Sequence, residues 1–129
     1  MPTEDDRPRV LVVEDEPEVA ALIDLNLRRD GWDVAVAANG LEALDHIREK
    51  RPDLLVTDLV MGPMDGFELI ANLERFPDLA GVPVIVLTSK TDDNSVVFAH
   101  ELGASVYLTK PFRPDELLAL ARRLVPTGH

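Results

Sequence analysis

Apolar and polar positions along the chain fall into five short apolar runs, each followed by a stretch whose apolar residues recur at helical spacing. The first run, R-V-L-V-V at 9–13, is β-branched and unbroken, which predicts a strand buried on both faces. Pro17 then stands where a first helical turn tolerates it, and Val19, Leu22, Ile23, Asn26 and Leu27 supply a helical stripe that Gly31 ends. Trp32, Val34 and Val36 alternate with polar or small residues, as in a half-exposed edge strand. Asn39 is placed to cap a helix carrying Leu41, Leu44 and Ile47, and Pro52 closes it. Leu54, Leu55 and Val56 make a third strand that runs into Asp58.

The second half repeats the alternation. Asp65 can cap a helix from Gly66 to about Arg75, and 82–87 predicts a fourth strand with Pro83 near its start, where a missing N–H matters least. A fourth helix is expected over 91–102, stopped by Gly103, then a short fifth strand over 106–108. Pro114 opens a last helix with acids in its first turn (Asp115, Glu116) and bases in its last (Arg122, Arg123), both suited to the helix dipole. Strands alternating with helices imply a parallel sheet covered on both faces, because parallel neighbours need crossover connections. One domain over 1–129 is expected, with its core at about 8–125 and no effector domain; it is either a stand-alone unit or part of a longer chain.

Composition narrows the function classes. The chain lacks cysteine, which removes disulfides and thiolate metal sites. No apolar run approaches the roughly 20 residues that span a bilayer, and 1–9 is polar, so a cytoplasmic protein is expected. With 24 acidic against 13 basic residues the net charge is −11, which argues against direct nucleic-acid binding and fits a cation site or a basic partner.

Chemistry is expected beyond the carboxyl ends of the strands. Those ends carry Glu14 and Asp15, Asp58, Thr88 and Lys110. Three carboxylates on one sheet edge repel unless a cation relieves them, and Mg²⁺ takes oxygen ligands and phosphate oxygens readily. With Lys110 and the Thr88 hydroxyl nearby, the set suits phosphoryl transfer, with Asp58 as the nucleophile forming an acyl phosphate. His46, His100 and His129 have no ligand spacing and are expected to be solvated, Met61 and Met64 to pack, and Trp32 to pack within its strand.

The segments V-V-E-D-E-P (12–17), V-T-D-L-V-M-G-P-M-D-G (56–66), V-I-V-L-T-S-K (84–90) and G-A-S-V-Y-L-T-K-P-F (103–112) together resemble the CheY-like receiver domain of two-component response regulators. The resemblance spans nearly the whole chain. It implies a (βα)5 doubly wound fold with flavodoxin-like strand order 2-1-3-4-5. It implies Asp58 as phosphoacceptor, Asp15 as a direct Mg²⁺ ligand, Glu14 acting on the metal through water, and the Val60 backbone carbonyl as a further ligand. Thr88 and Tyr107 correspond to the switch pair, Lys110 to the active-site lysine, and Lys110–Pro111 to a cis peptide. Gly62 and Pro63 stand where the family commonly has Pro and a variable residue, and Ser89 stands where Ala or Gly is more usual. Val60 and Lys90 occupy positions that tune the acyl-phosphate lifetime.

By that resemblance the partners are a sensor histidine kinase or histidine phosphotransfer protein and a downstream protein. The downstream protein would meet the face of the fourth helix, fifth strand and fifth helix, with a homodimer left open and neither nucleic acid nor membrane contacted. Such a chain is not an enzyme on external substrates; it assists its own phosphorylation and dephosphorylation. The alternatives are an interaction module that ignores phosphorylation, a flavodoxin-like cofactor binder and a metal-dependent phosphatase. E-D-E-P after the first strand disfavours a flavin phosphate, and no Asp-x-Asp pair follows that strand to serve a phosphatase.

Overall fold

A computed structural model of the chain describes residues 7–58, 66–79, 81–88 and 105–126. Among them, β1 (Arg9–Val13), α1 (Pro17–Arg29), β2 (Asp33–Ala37), α2 (Gly40–Glu49), β3 (Leu54–Asp58), α3 (Gly66–Glu74), β4 (Val84–Thr88), β5 (Val106–Thr109) and α4 (Pro114–Leu124) follow one another. The helix expected over 91–102, the Asp65 cap, and the positions of Val60, Ser89 and Lys90 lie outside the described residues.

The strands form one parallel sheet in the order β2-β1-β3-β4-β5, as expected. The reason for the unbroken apolar runs is now concrete. Val10 and Val12, Leu54 and Val56, and Ile85 and Leu87 face one side with Ile23 and Leu27 of α1 and Leu117 and Ala121 of α4. The intervening Leu11, Val13, Leu55, Val84 and Val86 face the other side with Ala43 and Ile47 of α2 and Leu69, Ile70 and Leu73 of α3. A strand covered on both faces has no position to leave polar.

Local signals account for several element ends. Asn39 is extended and its side chain accepts from the Glu42 N–H at 3.0 Å, satisfying a donor that the first turn of α2 leaves open. Gly31 follows α1 at φ 97°, a left-handed conformation that glycine adopts without steric cost. At the end of α4, Arg122 Nε donates to Asp30 Oδ2 at 2.9 Å, tying that helix to the residue after α1. Hydrogen bonding to Asp30, and then its charge, raise the Arg122 pKa.

Three expectations about exposure are corrected. Leu22 is 45 % exposed and Leu41 49 % exposed, although both fit a helical stripe. The stripe that meets the sheet is Ala20, Ile23 and Leu27 in α1 and Ala43 and Ile47 in α2, so these two leucines sit on the flanks. In β2, Val36 is exposed while Ala37 is buried. On this edge strand Val34 is buried with the α1 residues and Val36 is left uncovered, whereas Ala37 turns into the cluster that holds Ala43 and Ile47. β4 also begins two residues later than expected: the Pro83 carbonyl accepts from the Leu55 N–H at 3.0 Å, and the strand proper starts at Val84. No helix among the described residues is long and apolar enough to cross a membrane.

Candidate functional site

Strand register alone brings the chemistry-bearing residues to one edge. Val13 pairs with Ala37 and with Thr57, Asp58 with Leu87, and Thr88 with Thr109. Glu14, Asp58, Thr88 and Lys110 therefore lie at neighbouring carboxyl ends. Backbone hydrogen bonds hold that edge: Glu14 N–H donates to the Ala37 carbonyl at 3.0 Å, and Lys110 N–H donates to the Thr88 carbonyl at 2.7 Å. The Lys110–Pro111 peptide is cis.

At the centre is the Lys110 ammonium. It donates to Glu14 Oε1 at 2.5 Å and to Asp58 Oδ2 at 3.0 Å, bridging residues 96 and 52 positions away in sequence. The Glu14 side chain has no exposed surface, while those of Lys110 and Asp58 are each 13 % exposed. Charge-assisted bonds of this kind are short and strong because both partners are ionised.

Burial raises the pKa of Glu14, and the Asp58 charge adds to the rise; the hydrogen bonds from Lys110 and the Glu16 N–H oppose it without cancelling it. Burial works against the Lys110 charge, but the hydrogen bonds to Glu14 and Asp58 outweigh it and raise its pKa. Both shifts are upward, so each contribution to stability is present at lower pH and lost as pH rises, in different ranges for the two groups. An acid with a raised folded pKa contributes fully below its ordinary value of 4.5 and loses that contribution as pH rises through the folded value. Glu14→Gln, whose amide oxygen can still accept from Lys110, is therefore expected to be more stable than the parent at neutral pH. Urea midpoints should show the gap opening as pH rises above 4.5; a variant less stable than the parent at pH 7 would contradict this reading.

Of the residues singled out from sequence, the structure joins Glu14, Asp58 and Lys110 by direct contacts. Asp15 is exposed beside them, its carboxylate oxygen within 4.8 Å of those of Glu14 and Glu16. Thr88 is buried at the end of β4. Tyr107 is half-buried on β5, paired in register with Val86 and packed against the cluster beneath α2 and α3. Two participants were not foreseen. Glu16 lies 3.8 Å from the Lys110 ammonium, and the E-D-E run was the signal for it. Thr57 is fully buried and its hydroxyl donates to the Asp58 carbonyl oxygen at 2.9 Å. Its signal was a polar residue inside an otherwise apolar strand, which must find a partner.

The donor set fits a hard divalent cation. Glu14, Asp15 and Glu16 offer only carboxylate oxygens, closely grouped, and hard cations select such ligands. Chemically, the arrangement offers a partly exposed carboxylate held by an ammonium, with a group of acids alongside whose oxygens suit a hard cation.

Comparison with known proteins points the same way. Residues 10–122 match the response regulator receiver domain family. The DNA-binding response regulator MtrA of Mycolicibacterium smegmatis is 43 % identical over 116 residues, covering 90 % of this chain and 50 % of that protein. The chain thus spans about half the length of such curated relatives. A crystal structure of a response regulator from Chloroflexus aurantiacus J-10-fl is 34 % identical with a TM-score of 0.87, covering 92 % of this chain and 97 % of that one. The receiver domain of the sensor histidine kinase PA1611 from Pseudomonas aeruginosa PAO1, solved with magnesium coordinated in its active-site cleft, is 27 % identical with a TM-score of 0.85, covering 95 % of this chain and 99 % of that one. Carrying that fold and a family match across nearly its whole length, the chain belongs to the response regulator receiver domain family of two-component signalling.

Proposed function

We propose that Asp58 is the phosphoacceptor of a phosphorylation-dependent switch. The observation that supports this most strongly is the Lys110 ammonium bridging Glu14 and Asp58 across three strand ends. An Asp58 carboxylate oxygen attacks the phosphorus of a phosphohistidine on a sensor kinase or phosphotransfer protein. A P–O bond forms, the P–N bond breaks, and the imidazole nitrogen leaves with the electron pair, which a proton then takes up.

Glu14, Asp15, Asp58 and the Val60 carbonyl would hold Mg²⁺. Bound there, the ion would neutralise phosphoryl oxygens and the crowded carboxylates. Lys110, already in contact with Asp58, neutralises another phosphoryl oxygen, and the Thr88 hydroxyl donates to a third. Tyr107 follows Thr88 inward, and the face that includes β5 and α4 changes for a downstream protein. The bias between the two states comes from contacts that exist only when the phosphoryl group is present.

The chain acts as one receiver unit with its core at about 8–125. DNA contact, a property in the name of the MtrA relative, belongs in this reading to the part of such proteins that this chain does not span. Intact-mass measurement after incubation with acetyl phosphate and Mg²⁺ tests the proposal. The expected result is one added phosphoryl group, not acquired when the cation is chelated beforehand and absent from Asp58→Asn. An unmodified parent chain, or an Asp58→Asn variant that gains the same mass, would falsify it.

A further inference from the structure

Glu16 is the third carboxylate on the Lys110 ammonium. It stands at the N-cap of α1 without capping that helix through its side chain, and its backbone N–H serves Glu14 Oε2 at 3.2 Å. Its carboxylate lies 3.8 Å from the Lys110 Nζ that also holds Glu14 and Asp58, and it is 65 % exposed where those two are largely enclosed. It is also one of the three acids whose oxygens group within 4.8 Å. Among the described residues, the site therefore sets four carboxylates, those of Glu14, Asp15, Glu16 and Asp58, against the Lys110 ammonium.

A fourth negative charge at this position has two effects of opposite sign. It attracts a divalent cation, and it draws on the ammonium that an arriving phosphoryl dianion needs, so it repels that dianion. We propose that Glu16 is a positioning residue for Lys110 that strengthens divalent-cation binding while weakening the hold on anionic phosphodonors. This rests on the phosphoacceptor reading of Asp58. Because the Glu16 carboxylate is exposed, water and salt screen its interaction with Lys110, and the expected effects are modest.

The test uses Glu16→Gln, with Glu16→Asp as the charge-retaining variant and Glu18→Gln as a control that removes an acid elsewhere in the same helical turn. Calorimetric titration with Mg²⁺ alone should give a Kd about two- to fivefold weaker for Glu16→Gln. With Mg²⁺ saturating, the KM for acetyl phosphate should fall by a similar factor, about two- to fivefold, with kcat little changed. Glu16→Asp should move back toward the parent on both measures, and Glu18→Gln should match the parent. Equal Kd and KM in Glu16→Gln and the parent would overturn the inference, as would a shift in only one of them. If the parent itself takes up no phosphoryl group, the phosphoacceptor reading fails, and an unchanged Mg²⁺ Kd would overturn the Glu16 inference separately.

Discussion

Lys110→Met should lower the unfolding free energy by about 2–4 kcal/mol near pH 7.5. Methionine keeps most of the aliphatic stem and removes only the ammonium, so the loss reports the charge. Removing one partner of a buried ion pair is costly because the other is left charged and unsolvated, and Glu14 has no exposed side-chain surface. The figure is set below the usual range for fully buried pairs because Lys110 and Asp58 retain some contact with water.

The pH dependence carries the sign. In the variant, burial and the Asp58 charge still raise the Glu14 pKa, while the opposing contribution of Lys110 is gone. The folded state then binds a proton that the unfolded state releases, so the deficit should shrink as pH falls toward 4.5. On the alkaline side the parent's own advantage is present below 10.5 and is lost as pH rises through the raised folded value of Lys110. Urea unfolding at several pH values measures this; a deficit equal at pH 5 and pH 8 would show that charge is not its cause. Phosphoryl uptake from acetyl phosphate should fall by about a hundredfold or more, the usual cost of losing a positioned charge donor.

Leu117→Ala should cost about 3 kcal/mol, whereas Leu22→Ala should cost less than about 1 kcal/mol. Hydropathy cannot tell these leucines apart. Leu117 is fully buried among Val10, Ile85 and Leu87 and is, with Ala121, one of two residues that α4 buries fully, whereas Leu22 is largely exposed on α1. A helix of 11 residues has little stability of its own, so α4 depends on this packing. The loss should reach the site, because α4 begins four residues after Lys110. Denaturation midpoints decide it: similar costs for the two variants would mean that α4 is not anchored through Leu117.

The contrast between these leucines marks how far sequence reasoning reached. The apolar runs at 9–13, 54–56 and 82–87 were legible as strands, the first as one buried on both faces, because consecutive β-branched and aliphatic residues leave no polar face, although β4 itself starts only at Val84. Asn39 and Gly31 were legible as helix ends because capping and a left-handed turn depend on local backbone geometry. Leu22, Leu41 and Val36 were misplaced because a periodic pattern gives the direction of an apolar stripe, not its width or what covers the end of an edge strand.

For the site, the sequence by itself determined which groups stand at the strand ends, since Glu14, Asp15, Asp58, Thr88 and Lys110 each lie one or two residues beyond an apolar run. Only the tertiary structure decided how they meet. One ammonium bridges carboxylates from β1 and β3, a buried Thr57 hydroxyl braces the Asp58 carbonyl, and Glu16 joins the same ammonium from the entry to α1. These contacts depend on sheet order and register, which place residues far apart in sequence within a few ångströms, and on burial, which raises the Glu14 pKa and opposes the Lys110 charge, whose pKa the hydrogen bonds to Glu14 and Asp58 raise nonetheless.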